Sequence, residues 1–270
     1  MENLYILMRN QFKKAIEKIK SGEQTIHLMP VYGFNFQLGR LNLLLGSPGA
    51  GKSLMTMHVM LKAVKEHKKI LLLSSEMSIY QYTIRILKHE LGIKGSDDLV
   101  IKQLASPLCQ DILDKLQNQL DEYVDYRNVF KENLEELLSD TDLPNKYDLI
   151  CLDYIQNTPW KSSTDEYSRL TMICGAIKAF TLTGLDKTGV ICSQVSKSQF
   201  NEKGKINSDT ILQPKGSNAI LESSDYVVQL LRDPETGFVL VSNTKNKDCK
   251  VDASKLYKIN QDLRFSEVAQ

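Results

Sequence analysis

The chain has 270 residues, of which 42% are hydrophobic, 25% charged and 7% aromatic. That balance suits one large globular domain, or one domain with a small appendage, and excludes a disordered or fibrous chain. No apolar run nears the ~18 residues of a membrane span, and Met1-Glu2-Asn3-Leu4-Tyr5 does not begin a signal peptide, so a cytoplasmic protein without a membrane partner is expected. The net charge of +1 excludes a globally basic, histone-like binder. It hides an uneven spread. Residues 1–69 carry 11 basic and 4 acidic side chains, a net of +7, whereas residues 97–148 carry 5 and 13, a net of −8. An acidic stretch of that kind reads first as a solvated helical face.

In chain order, residues 10–20 have helical apolar spacing at Phe12, Ile16 and Ile19, and Ser21-Gly22 ends that helix. A loop with Pro30 and Gly33 is expected next. Short apolar runs then alternate with amphipathic segments. The runs are Leu41–Leu45, Ile70–Leu73, Leu149–Leu152 and Val190–Cys192, and the helical segments lie near 53–66, 79–91, 110–121, 129–139 and 165–182. Continuous apolar strands separated by helices are the βαβ signature of a parallel sheet covered on both faces. After Asp225 the pattern changes to Tyr226–Leu231, Phe238–Ser242 and Leu256–Ile259 with short turns, which predicts an antiparallel extension. The number of strands in 94–146 stays open.

The five cysteines (Cys109, Cys151, Cys174, Cys192 and Cys249) are odd in number and form no CxxC pair. Cys151 and Cys192 sit inside apolar runs, so they read as small core residues of a reducing compartment. His27, His58, His67 and His89 are scattered, and no zinc spacing is present.

Gly46-Ser47-Pro48-Gly49-Ala50-Gly51-Lys52-Ser53 matches GxxxxGK[ST] in full, between an apolar strand and a helical segment. At ~7% glycine, chance gives such a match in about one chain in a hundred of this length. The glycines let backbone N–H groups wrap a phosphate chain, and the helix N-terminus, opening at Leu54, adds a positive dipole end. Lys52 is placed to reach the β- and γ-phosphates of ATP, and the Ser53 hydroxyl to bind Mg²⁺. Leu149–Asp153 is an apolar strand ending in Asp, suited to the Mg²⁺ shell. Ile70–Glu76 ends in Glu, a candidate base for the attacking water. Val190–Gln194 ends in an amide able to sense a γ-phosphate. The loop after it, 196–216, carries Lys197, Lys203, Lys205 and Lys215 and is long for a compact domain, which suits a phosphodiester backbone.

Taken together, the phosphate loop, Ser74-Ser75-Glu76-Met77, Leu152-Asp153-Tyr154-Ile155-Gln156 and Ser193-Gln194 resemble, in order and spacing, the ATPase domain of DnaB-type (superfamily 4) hexameric replicative helicases. Ser217–Asp225 and Lys245-Asn246-Lys247 resemble two further elements of that family. The resemblance covers about residues 33–260. It implies a RecA-like P-loop NTPase fold of α/β class, a ring that is a hexamer, and ATP hydrolysed between subunits on single-stranded DNA. It implies Lys52 and Ser53 on phosphate and Mg²⁺, Glu76 as base, Asp153 in the Mg²⁺ shell through water, and Gln194 as γ-phosphate sensor. Lys245 and Lys247 would reach a neighbour's nucleotide. Loops 156–168 (with Lys161) and 196–216 would face DNA in the central channel.

Two departures stand out. The family's trans-acting arginine is Lys247 here, a poorer match to phosphate, so slower hydrolysis or a substitute such as Arg232 is expected. The family's primase-binding N-terminal domain is also expected to be absent. Residues 1–32 then form an arm or linker helix, residues 33–270 the ATPase domain, and any primase or loader is a separate protein. A short lysine-rich chain of this kind fits a phage or mobile element. Alternatives are a RecA- or RadA-like recombination ATPase forming filaments, a non-motor ATP-binding regulator or loader of replication, and a small-molecule kinase. Ring or filament shape separates the first of these from a helicase.

Overall fold

Strands of continuous apolar residues need cover on both faces, and the chain supplies it with a central sheet between two helical layers. The computed structural model describes residues 28–104, 110–163, 165–184, 186–196, 212–247 and 254–268. Its elements are β1 (Leu28–Val31), β2 (Phe34–Gln37), β3 (Leu41–Gly46), α1 (Lys52–Lys65), β4 (Ile70–Ser74), α2 (Ile79–Leu91), α3 (Asp97–Leu104) and α4 (Gln110–Tyr123). There follow β5 (Val124–Asn128), α5 (Leu134–Ser139), α6 (Leu143–Lys146), β6 (Leu149–Asp153), a 3₁₀ turn (Ile155–Asn157), α7 (Glu166–Thr181) and β7 (Thr188–Gln194). The last are α8 (Ala219–Ser223), β8 (Tyr226–Arg232), β9 (Val239–Asn246), β10 (Lys255–Ile259) and β11 (Phe265–Glu267).

Among the described residues, the main sheet has the order β11-β10-β9-β8-β3-β7-β6-β4-β5. From β8 to β5 all neighbours are parallel; β9, β10 and β11 extend the sheet antiparallel, as the change of pattern after Asp225 predicts. Successive strand residues point to opposite faces. Leu44, Leu72, Cys151, Cys192 and Val228 join Met55 and Val59 of α1 and Ile86 of α2 in one core. Leu43, Leu71, Ile150, Leu152, Ile191 and Val227 join Leu170, Ile173 and Ile177 of α7 in the other.

Three expectations change. The loop with Pro30 and Gly33 is a hairpin, β1–β2, paired from Leu28↔Gln37 to Val31↔Phe34. Its Met29, Val31, Phe34 and Phe36 are core residues, so the boundary expected between 32 and 33 runs through a packed element. The segment 129–139 is helical only over Leu134–Ser139, because Val129 donates its amide to Ser74 O and 129–133 forms a turn. Within 94–146 a single described strand, β5, pairs with β4 at the sheet edge.

Cys151, Cys174 and Cys192 are buried free thiols, and no His/Cys/Asp/Glu group able to hold a metal occurs among the described residues. No described helix is long and apolar enough to cross a membrane. The expected helix 10–20, His27, Cys109, Cys249, Lys197, Lys203 and Lys205 lie outside the described residues.

Candidate functional site

The carboxyl ends of β3, β4, β6, β7 and β8 come together at one edge of the sheet. Gly46 is in register with Gln194 on one side and Leu230 on the other, and Ser74 with Asp153. The chain leaves β3 through α1 and re-enters the sheet at β4, beyond β7 and β6, so a crevice opens above β3 where α/β sheets take ligands.

The phosphate loop fills that position. A Cβ at Gly46 would lie 2.5 Å from Leu230 O, so only glycine lets β3 approach β8 as the loop begins. Gly51 has φ 94° and precedes α1, whose N-terminus receives no side-chain cap. The first amides of α1 therefore remain for an anion. Pro48 and Gly49 form the exposed crest, while Ser47 and Ala50 are buried. The Lys52 ammonium is buried and donates to Gly46 O (3.1 Å) and Ser47 O (2.9 Å), folded back onto its own loop. Burial pulls its pKa below the ordinary lysine value against the counter-pull of Cys192, Asp153 and Glu76. Ser53, half-buried, and Leu54, buried, continue the helix beside it.

Asp153 is 1% exposed at the end of β6. Its Oδ2 accepts a 2.6 Å hydrogen bond from the Tyr82 hydroxyl of α2, and its Oδ1 is buried with no partner. Burial pushes the Tyr82 phenol well above its usual pKa, and the Asp153 charge adds to the shift, so the phenol stays a donor. Glu76 is exposed and close enough to act electrostatically on Lys52 and Tyr154. The turn that carries Glu76 is fixed on both sides. Ser74 Oγ donates to Met77 O (2.8 Å) and accepts from Met77 N (3.0 Å), and Ser78 and Gln81 form a capping box that starts α2.

At β7, the Gln194 amide N–H donates to Gln156 Oε1 at 3.2 Å. Gln156, buried on the 3₁₀ turn after β6, donates through Nε2 to Ser193 Oγ (2.6 Å) and Lys215 O (3.0 Å). Lys215 N returns a bond to Gln194 O (2.7 Å), and Val195 bridges Pro214. One side chain thus ties the end of β7 to both flanks of segment 197–211.

Lys245 and Lys247 lie at the far end of the sheet. Lys245 pairs with Val227, and Lys247 N donates to Asp225 O, whereas the phosphate loop adjoins Leu230. From Asp225 to Leu230 is about 17 Å of strand at ~3.3 Å per residue. Lys245 Nζ donates to Leu221 O (2.6 Å) and Glu222 O (3.3 Å), the carbonyl end of α8. Lys247 Nζ pairs with Asp225 Oδ1 at 3.0 Å, and Lys178 and the Leu41 amide hold Oδ2. Burial opposes the Asp225 charge, but these donors outweigh it and keep the carboxyl below its ordinary pKa. Arg232, the expected substitute, donates instead to Gly49 O of its own phosphate loop (3.2 Å).

The phosphate loop, Glu76, Asp153 and Gln194 therefore come together, as their positions at strand ends predict. Lys245 and Lys247 do not join them within one subunit. Lys161 and Lys215 are exposed. Three side chains carry more of the site than their sequence pattern suggests. Gln156 is visible in Asp-Tyr-Ile-Gln without a role, Asp225 only as a strand-leading acid, and Tyr82 not at all. The one signal for Tyr82 is a hydroxyl on the apolar face shared by Ile86, one turn along α2.

Comparisons with known proteins agree with this geometry. The chain is similar to a solved ATPase domain of a DnaB-like helicase, with a TM-score of 0.70 and 17% identity over 97% of this chain and 99% of that one. It is also similar to a DnaB-like replicative helicase whose structure was described with its interactions with primase (TM-score 0.67, 17% identity), covering 94% of this chain and 65% of that one. No curated protein sequence matches. The family model of the DnaB-like helicase C terminal domain matches residues 29–261, and the chain belongs to that family.

Proposed function

We propose that the chain is an ATP-driven DNA helicase, translocating on single-stranded DNA during replication and hydrolysing ATP at the subunit interfaces of a hexameric ring. The observation that carries this reading is the meeting of a full phosphate loop, a buried Asp153 and an exposed Glu76 at one crevice of a DnaB-like domain.

The residues fit Mg²⁺: Asp153 Oδ1 is a buried carboxylate oxygen without a partner, and Ser53 opens α1 beside the Lys52 cradle. Ser53 would hold the ion directly and Asp153 through water; when bound, Mg²⁺ neutralises phosphate charge as a Lewis acid. The loop amides and the α1 N-terminus bind the phosphates. Lys52 leaves its loop carbonyls for the β- and γ-oxygens, at little cost because it is already desolvated. Glu76 orients the attacking water and takes its proton. Gln194 senses the γ-phosphate, and Gln156 passes its position to Ser193 and Lys215. The lysines of 196–216, together with Lys161, hold the DNA backbone. Lys245 and Lys247, remote from their own loop, act on a neighbour's nucleotide in a heterologous ring contact. A primase or loader is a separate partner.

The test is ATP hydrolysis with and without single-stranded DNA. Lys52→Ala abolishes turnover, whereas Glu76→Gln keeps ATP binding and stops hydrolysis. Near-normal hydrolysis by Glu76→Gln refutes the base assignment.

A further inference from the structure

A carboxylate with one oxygen anchored and the other bare has a direction. Asp153 is such a group: its Oδ2 is held by the Tyr82 hydroxyl at 2.6 Å, and its Oδ1 is buried without a partner among the described residues. The anchor is rigid. Tyr82 is 1% exposed, and its ring meets Tyr126 edge-on at 6.4 Å. The Tyr126 hydroxyl in turn donates to Met77 O at 2.8 Å, the residue after Glu76. The backbone around Asp153 is fixed as well: Ser75 N donates to Asp153 O (2.8 Å), and Ser75 Oγ donates to Tyr154 O (2.9 Å) and accepts from Tyr154 N (3.0 Å). With the backbone pinned and Oδ2 tethered, the remaining freedom of the Asp153 side chain is small.

A phenylalanine would fill the same apolar slot on α2, so packing alone does not call for the hydroxyl. A lone phenol placed against a carboxylate in a core acts on the carboxylate. It offsets part of the burial cost and selects one rotamer, the action that outer-shell donors perform on metal-binding groups. We propose that Tyr82 is a positioning residue for the divalent-cation site, holding Asp153 Oδ2 so that Oδ1 faces the water shell of the nucleotide-bound cation. This inference rests on the proposed role of Asp153. The tether also joins that acid to the helix that starts right after Glu76, so the cation acid and the water base keep a fixed separation.

The test uses the full chain loaded with ADP and titrated with Mn²⁺, bound ion being read by electron paramagnetic resonance. Tyr82→Phe removes only the hydroxyl. It weakens Mn²⁺ binding by about tenfold or more, while ADP binding in EDTA and the thermal midpoint stay near wild type. Asp153→Asn, titrated in parallel, separates the two ideas. If Asp153→Asn weakens Mn²⁺ binding and Tyr82→Phe does not, the positioning role is overturned while the Asp153 assignment stands. If neither variant changes Mn²⁺ binding, the Asp153 assignment fails and this inference with it. Loss of ADP binding in EDTA by Tyr82→Phe also overturns the proposal, because the hydroxyl would then support the whole site rather than the cation.

Discussion

Lys247 is the position where a catalytic role and a structural role separate most clearly. Its ammonium is about half exposed and pairs with Asp225 at 3.0 Å, while Asp225 keeps Lys178 and the Leu41 amide whether or not Lys247 is present. An exposed pair of this kind is worth ~0–1 kcal/mol. Lys247→Ala should therefore lower the thermal midpoint by no more than about 4 °C. Its own nucleotide site is untouched, since the lysine lies about 17 Å of strand away, so ATP affinity stays near wild type. Hydrolysis should behave differently. Removing one donor from developing transition-state charge costs ~10²–10³ in turnover. The assay is steady-state ATP hydrolysis with DNA present, paired with a thermal melt. A mixing experiment adds the decisive arm. Lys52→Ala and Lys247→Ala subunits are each inactive alone, but in a mixed ring a subunit with an intact loop can meet a neighbour with an intact lysine. Random assortment makes about one heterologous interface in four competent, and activity returns. Normal turnover by Lys247→Ala, or no recovery on mixing, refutes action in trans.

The remaining predictions concern coupling, DNA binding and acid stability. Gln156→Ala removes the ties among Gln194, Ser193 and Lys215, so basal hydrolysis persists while stimulation by single-stranded DNA is lost; equal stimulation in mutant and wild type would refute the relay. Alanine at Lys197, Lys203, Lys205 and Lys215 should weaken single-strand affinity and flatten its salt dependence by about one unit of slope for each lysine–phosphate pair removed; an unchanged slope would remove this loop from the DNA path. Burial, with His89 nearby, depresses His58 from 6.5 to about 3 in the folded chain. Below pH 6.5 the unfolded chain takes up a proton that the folded chain refuses, so stability falls as pH drops toward 3, by ~1.4 kcal/mol per unit. His58→Phe should flatten that part of the midpoint-against-pH curve, and an unchanged slope would contradict the buried-neutral assignment.

Much of this architecture is legible because the sheet is parallel. Residues such as Leu43-Leu44-Leu45 and Leu71-Leu72-Leu73 face two cores at once, which leaves a continuous apolar run in the sequence. Their carboxyl ends then mark Gly46, Glu76, Asp153 and Gln194 as one crevice. The missed elements lack such a mark. The β1–β2 hairpin turns on Tyr32 (φ 50°) and Gly33 (φ 75°). A two-residue turn needs both angles positive, and tyrosine gives no sequence signal for that conformation. Tertiary packing holds it there: the Tyr32 ring meets His58 and Phe265, and its hydroxyl bonds His58 Nε2 at 3.2 Å. Strand β5, Val124-Asp125-Tyr126-Arg127-Asn128, is a half-buried edge strand with neither an apolar run nor clean alternation. The site contacts of Tyr82 and Gln156 span 71 and 37 or more positions along the chain, beyond the reach of local pattern.

The central claim is that ATP hydrolysis at this crevice drives the chain along one DNA strand. Strand displacement from a forked DNA duplex tests it most directly. The wild-type chain should release the strand with ATP and Mg²⁺, fail to do so with a non-hydrolysable analogue, and lose all displacement in Lys52→Ala. DNA-stimulated hydrolysis with no displacement of the forked strand would contradict the account.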